Sequence, residues 1–474
     1  MLFRQIFDPK LAQYAYLLGC QRTKEALVID PQRDVDRYQA VAQSEGLRIT
    51  AVAETHIHAD FLSGARELAE KTGAKLYLSD EGDADWKYEW VKDGDYDVTL
   101  LQDGDSFQVG HVEIKAVHTP GHTPEHMSFL VTDHGSGMTE PMGIATGDFV
   151  FVSDLGRPDL LESAAGVEGA MEPSARRLYA SVRSFLELPD FLQVWPAHGA
   201  GSICGKALGA VPTSTVGYER RSNQAIDAAT RGEDHFVQMI LEGQPEPPLY
   251  FGRMKRLNKE GVPLLGELPT PRPMTADELL KVAEQPGAVV LDTRLDRKAF
   301  MAEHLPGALY TPLNKSFPTI TGSYLRPEEQ IYLIVDEDRI DEAVRDLIRI
   351  GLDNIAGFAS PQVLENLEGL VSTEVIDFDD LDGIRREEDS LVLDVRAASE
   401  YEAYHVPEAM NVAHTRLLDR LDEISKDRKL LVHCGSGSRA AAASALLERK
   451  GFDVGFVDDI ISNYRASHEP TAAG

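Results

Sequence analysis

The stretch ETHIHADFLSG (Glu54–Gly64) places His56, His58 and Asp60 within five residues, directly after the apolar run ITAVA. Imidazole and carboxylate groups held on a loop at a strand end are the donors that bind a borderline metal ion. The next residue, Phe61, offers no donor. Three later segments extend the pattern: HTPGHTPEH (His118, His122, His126), ATGDFVF (Asp148) and WPAHGAG (His198). The Pro120–Gly121 pair breaks any helix and puts His122 on a turn. One such histidine would read as a surface or core residue; four ordered segments across a whole domain read as a metal site. The spacing alone leaves open which of His56, His58, His122 and Asp148 are ligands.

Around these segments, residues 1–262 alternate β-like runs with helical patterns. EALVID, ITAVAET, KLYLSD, VEIKAVHT, MSFLVTD and FLQVWPA read as strands, and ADFLSGARELAEKTG as a helix. The histidines and aspartates then fall on loops after strands, where layered folds carry their chemistry. A linker with Pro263, Pro269, Pro271 and Pro273 ends this block, and TADELL starts a helix capped by Thr275.

The remainder is a weak internal repeat of about 100 residues. TADELLKVAEQPGAVVLDTRLDRKAFMAEHLPGALYTPL and IDFDDLDGIRREEDSLVLDVRAASEYEAYHVPEAMNVAH each give a helix, a strand ending in Asp-x-Arg, a helix, a histidine and a proline. Strand–helix alternation of this kind predicts two small doubly wound α/β domains, at 268–370 and 374–470. Only the second carries a cysteine. LLVHCGSGSRAAAASALLERKG reads as strand, tight loop and helix, with Cys434 opening the loop and Arg439 closing it. In the loop Gly435, Ser436, Gly437 and Ser438 the two glycines let backbone amides turn inward, and the helix that follows points its positive end at the sulfur. Such a nest lowers a thiol pKa and favours negative sulfur, so Cys434 and Arg439 are the expected catalytic pair. No cysteine occurs between 205 and 433, so 268–370 is expected to be a non-catalytic spacer or docking domain.

Composition narrows the classes. The formal charge is −31 over 474 residues, against a nucleic-acid or anionic-membrane surface. No apolar run approaches the ~20 residues that span a bilayer, and MLFRQIFDPKLAQ does not read as a secretory signal. Three cysteines, Cys20, Cys204 and Cys434, are no disulfide framework and fit a reducing, cytoplasmic setting. Cys20 and Cys204 are expected to be buried and inert, and His118 and His126 to be structural.

The four metal segments resemble the metallo-β-lactamase superfamily, and THIHADFLSG, TPGHTPEH, TGDFVF and DLGRPDLL resemble its persulfide dioxygenase branch fused to rhodanese domains. The resemblance implies an αββα sandwich over 1–262, followed by the two rhodanese-like domains, a multidomain α/β and α+β chain. It implies His56, His122 and Asp148 as a facial triad for one Fe(II) per chain, donors that also hold zinc, with His58, Asp60 and His198 orienting them. Family members with two metals use an Asp-His pair where this chain has Asp60–Phe61. The second site would keep only Asp60 and His198, which is too few. Arg157 is expected to grip an anionic end of the substrate, with Tyr218, Arg220 and Arg221 in the same task. The loop from Cys434 to Arg439 resembles the rhodanese loop; its four intervening residues, one fewer than in similar phosphatases, favour sulfur over phosphate.

Together these imply oxidation of a glutathione, coenzyme A or similar persulfide by O₂ to sulfite. Sulfur transfer at Cys434 would form or use thiosulfate, and a homo-oligomer is left open. The competing readings are a glyoxalase-II-like thioester hydrolase, which normally needs two metals, and a sulfur-carrier or scaffold protein with a vestigial metal domain.

Overall fold

The computed structural model describes all residues except 93, 164, 165, 167, 366, 388 and 469–474, so the expected domain end at 470 lies outside the described residues. The chain divides into two compact units, Met1–Glu267 with Ile348–Gly351, and Leu268–Leu347 with Leu352–Gly474. Among the described residues no helix is long and apolar enough to cross a membrane.

The first unit is built from two six-stranded sheets. One runs in chain order: β1 (Leu2–Asp8), β2 (Gln13–Cys20), β3 (Glu25–Ile29), β4 (Arg48–Ala53), β5 (Lys75–Ser79) and β6 (Val98–Leu101). The other contains β7 (Ser106–Val109), β8 (Val112–His118), β9 (Met127–Asp133), β10 (Gly143–Gly147), β11 (Gln193–Pro196) and β12 (Ser214–Thr215), in reverse spatial order. Strand periodicity explains the layering. Along β2, Tyr14, Tyr16 and Leu18 face a core shared with Phe107, Phe129 and Trp195 of the second sheet. Ala15 and Leu17 face the opposite way, onto a core with Tyr38 and Leu68 of the helices Asp36–Ser44 and Ala65–Thr72. The second sheet's outer face is covered by Leu178, Ile226 and Phe236 from three further helices. Helix, sheet, sheet, helix is the αββα sandwich expected from the resemblance. β8, β10 and β11 run the same way, so the loops carrying His118–His126, Asp148 and His198 leave one edge of the sheet.

One local expectation fails. The helix read into ADFLSGARELAEKTG begins only at Ala65. Asn258 accepts from the Ser63 amide (2.9 Å) and donates to the carbonyls of His58 (2.8 Å) and Phe61 (2.7 Å), so that backbone is bonded outward instead of along a helix.

The second unit holds two parallel five-stranded sheets with one topology. In the first repeat the order is β13 (Arg272–Pro273), β17 (Ile355–Ala359), β16 (Gln330–Ile334), β14 (Ala288–Asp292), β15 (Leu309–Tyr310). In the second it is β18 (Glu374–Ile376), β22 (Val454–Val457), β21 (Lys429–His433), β19 (Ser390–Asp394), β20 (Met410–Asn411). The Pro-rich linker thus supplies an edge strand, the place where proline is tolerated in a sheet. Thr275 caps its helix in a reciprocal box with Glu278.

Candidate functional site

The metal segments converge on a buried cluster. His122 Nε2 lies 3.4 Å and His56 Nε2 3.9 Å from Asp148 Oδ2. One donor atom from each of His56, His122 and Asp148 lies within 4.8 Å of the other two. Each imidazole is oriented through its other nitrogen. Thr55 Oγ1 sits 2.8 Å from Asp30 Oδ2, which only accepts, so the hydroxyl donates there and accepts from His56 Nδ1 at 2.9 Å. His122 Nδ1 donates to the Arg157 carbonyl at 2.9 Å. Both rings therefore turn a lone pair toward Asp148.

His56 Nε2, both Asp148 carboxylate oxygens, Asp60 Oδ2 and His198 Nε2 are buried with no hydrogen-bond partner among the described residues. Buried polar atoms are normally satisfied, and two histidines with a carboxylate are a donor set that fits a cation. Burial, with the Asp60 charge adding to it against His198, pushes the Asp148 carboxyl up to about 6, and burial holds His56 well below its ordinary range.

The neighbouring groups sort themselves. His58 directs Nε2 to Asp30 Oδ1 at 3.3 Å; burial opposes its charge most strongly, but Asp30, Glu54 and Asp60 together raise the imidazole to about 9. Phe61 packs on the His58 ring, centroids 4.4 Å apart. His198 donates from Nδ1 to the Ala12 carbonyl and places Nε2 3.4 Å from both Asp60 and Asp148. His126 accepts the Asp148 amide at Nε2 (3.1 Å) and bonds Thr119 through Nδ1 (2.8 Å), so it sets the backbone of a donor residue. Glu125 accepts the Ile57 amide at 2.8 Å and ties the two histidine loops together. His118 is bonded to the Pro124 carbonyl, outside the cluster.

Three sequence expectations need correction. Arg157 does not present its guanidinium to a substrate. It is buried, forms a two-point pair with Asp159 (2.8 and 2.6 Å) and donates to the Pro245 carbonyl at 2.6 Å. Arg220 is likewise committed, to Asp190 and to the Leu186 and Leu188 carbonyls, while Tyr218 and Arg221 lie on the exposed face of the same short helix. Cys204 is buried but not remote: with Asp60 and His198 it forms a second group of donor atoms within 4.8 Å of one another. The count of two donors beyond the triad was therefore one short. Burial, then the charges of Asp148 and Asp60, keep the Cys204 thiol protonated.

The second candidate centre is the loop after β21. Cys434 is 1% exposed at its start, and the helix Ser438–Arg449 begins four residues later. Gly437 has φ +88°, and a Cβ there would lie 2.6 Å from Asp458 Oδ1, so the turn needs glycine. Arg439 is paired at two points with Glu400 (2.5 and 2.8 Å), a partner that sequence reasoning missed. Glu400, then the Cys434 sulfur among weaker causes, raises the Arg439 pKa, so a fixed positive charge stands beside the thiol.

Comparison with known proteins agrees with this fold. The metallo-beta-lactamase superfamily model matches residues 8–198, and the rhodanese-like domain model matches 377–467. The mitochondrial persulfide dioxygenase ETHE1 of Bos taurus is 31% identical over 245 residues, 51% of this chain and 80% of that protein. A probable metallo-hydrolase of Burkholderia pseudomallei is 30% identical over 261 residues, 50% of this chain and 85% of that one. A crystal structure of a metallo-beta-lactamase from Staphylococcus aureus subsp. aureus COL covers 76% of this chain and 99% of its own, at 41% identity and TM-score 0.68.

Proposed function

The chain belongs to the metallo-beta-lactamase superfamily and carries a rhodanese-like domain, and from that premise we propose that it is a persulfide dioxygenase joined to a sulfurtransferase. The observation that carries the reading is the set of partnerless, buried donor atoms on His56 and Asp148 beside His122. An Fe(II) ion bound there, one per chain, supplies the redox chemistry by which a thiol persulfide and O₂ react. The balance is R–S–SH + O₂ + H₂O giving R–SH and sulfite with two protons. This chain's own residues do the rest. Thr55, with Asp30 behind it, and the Arg157 carbonyl fix the two imidazoles. His126 fixes the Asp148 backbone, and His198 places a nitrogen between two carboxylates.

At the second centre the Cys434 thiolate attacks a sulfane sulfur, forming Cys434–S–S⁻ and releasing the donor's remaining half with the electron pair. Sulfite attacking the outer sulfur gives thiosulfate and restores the thiolate. The substrates are thus a low-molecular-weight thiol persulfide, such as that of glutathione or coenzyme A, with O₂, sulfite and thiosulfate. Metal content of anaerobically purified protein, with O₂ uptake on glutathione persulfide, tests the reading. His122→Ala should lose both the iron and the O₂ uptake. Full activity with zinc alone would overturn it.

Cys204 favours a second reading. Asp60, His198 and Cys204 give a second donor group, and two metals suit a thioester hydrolase of the glyoxalase II kind. Two ions per chain, falling to one in Cys204→Ser, with hydrolysis of a glutathione thioester and no O₂ uptake, would select it.

A further inference from the structure

The repeat without a cysteine reaches the cysteine loop of the other. Arg297, in the first turn of the helix Arg297–Ala302, bonds Asp458 Oδ1 through Nε at 2.7 Å and the Ser436 carbonyl through Nη2 at 3.2 Å. A Cβ on Gly437 would stand 3.1 Å from those same guanidinium nitrogens. Tyr324, at the end of the helix Phe317–Tyr324, is 3% exposed, and its hydroxyl has no hydrogen-bond partner among the described residues. Its ring lies 6.5 Å from that of His414, whose Nδ1 is also buried and unpartnered. Two rings, each carrying an orphaned polar atom, thus meet edge-on at the seam between the repeats. Burial, then the nearby Cys434 sulfur, raises the Tyr324 pKa, so the phenol stays protonated and can only donate to a negative sulfur. Burial, then Arg439, lowers His414 to about 4, so it adds no competing positive charge at neutral pH.

We propose that Tyr324 and Arg297 of the cysteine-less repeat complete the Cys434 site. Tyr324 donates a hydrogen bond to the outer sulfur of Cys434–S–S⁻, and Arg297 holds the Ser436–Gly437 turn in place. This rests on the sulfur-transfer reading of Cys434. In the loading step the thiolate attacks the sulfane sulfur of thiosulfate; the S–S bond of thiosulfate breaks, that of the persulfide forms, and sulfite leaves with the electron pair. Tyr324 acts on the product of that step, so its contribution is to the persulfide and not to the free thiol.

The test uses the full chain, loaded with thiosulfate and freed of excess, with Cys434 persulfide followed by intact mass. Tyr324→Phe should shorten the lifetime of the persulfide and lower kcat/KM for thiosulfate in the loading step about tenfold, the loss of one hydrogen bond to a charged group. Alkylation of the free Cys434 thiolate should proceed at the wild-type rate, a readout that separates this role from a general disturbance of the fold. Arg297→Ala should reduce loading, and Arg297→Lys should recover only part of it, because a lysine lacks the two-point fork. A Tyr324→Phe variant that loads and discharges like wild type overturns the proposal alone. A wild type that takes no sulfur onto Cys434 overturns the sulfur-transfer reading and the proposal with it.

Discussion

The two repeats of the second unit share a frame and differ at one loop. In each, the strand-end aspartate pairs with the arginine two residues on: Asp292 with Arg294 (2.6 Å) and Asp394 with Arg396 (2.5 Å). In each, that arginine also holds a carbonyl at the end of the next helix, Glu303 or Tyr404. In each, a histidine stacks on the aromatic ring four residues earlier, His304 on Phe300 and His405 on Tyr401. Pairing of Asp292 with Ile334 and of Asp394 with His433 puts Val335 where the other repeat has Cys434. Beyond Val335 come Asp336, Glu337 and Asp338, all exposed carboxylates, where the second repeat has Gly435, Ser436 and Gly437. One loop repels anions and the other is shaped to hold them. The shared frame therefore specifies a fold, and the chemistry depends on a handful of loop residues.

Cys434→Ser breaks the comparison most severely: sulfur transfer between thiosulfate and a thiol should fall to background, since no other cysteine stands in either repeat. A steady-state transfer assay checks it, and persistent transfer would place the nucleophile elsewhere. Next in size are the two aspartate–arginine latches. Arg396 is buried, and removing it leaves Asp394 an unpaired buried charge, so Arg396→Ala should cost about 3 kcal/mol in urea unfolding. Arg294 is more exposed, 19% against 6% for the side chains, so Arg294→Ala should cost less. Equal losses would show that the latches do not differ as their burial implies. The smallest expected effect is that of Val335→Cys. It restores the sulfur but not the glycine turn, and Arg339 is engaged by Glu342 and the Leu313 carbonyl, so the variant with Cys434 also changed to serine should show no transfer above background. Measurable transfer would mean that the cysteine alone is enough.

What was legible in the sequence was what lies close together along the chain. HIHAD, the His122 turn, Asp148 and the CGSGSR loop announce themselves by short spacing, and the sheet alternation of β2 is readable residue by residue. What was missed lies far apart. Asn258 holds carbonyls of residues about 200 positions away, Asp30 acts on His56 through Thr55, and Cys204 meets Asp60 only in the folded sheet edge. Arg297 meets the Cys434 loop from another repeat, and Tyr324 meets His414, which is why 268–370 read as a spacer. Arg157 is the instructive error, because its partner was visible. Asp159 stands two residues on, the same spacing as the Asp394–Arg396 latch, and a charge so close to an opposite charge is a poor candidate for a free substrate clamp.

The central claim is that one chain oxidises a persulfide at one centre and moves sulfane sulfur at another. It is tested most directly by a paired assay of wild type and Cys434→Ser on glutathione persulfide, with O₂ uptake, sulfite and thiosulfate measured together. O₂ uptake should be nearly equal, with thiosulfate in the wild-type products and sulfite alone in those of the variant. A variant that loses O₂ uptake as completely as His122→Ala would contradict it, since the persulfide oxidised at the metal would then have to be the one carried on Cys434.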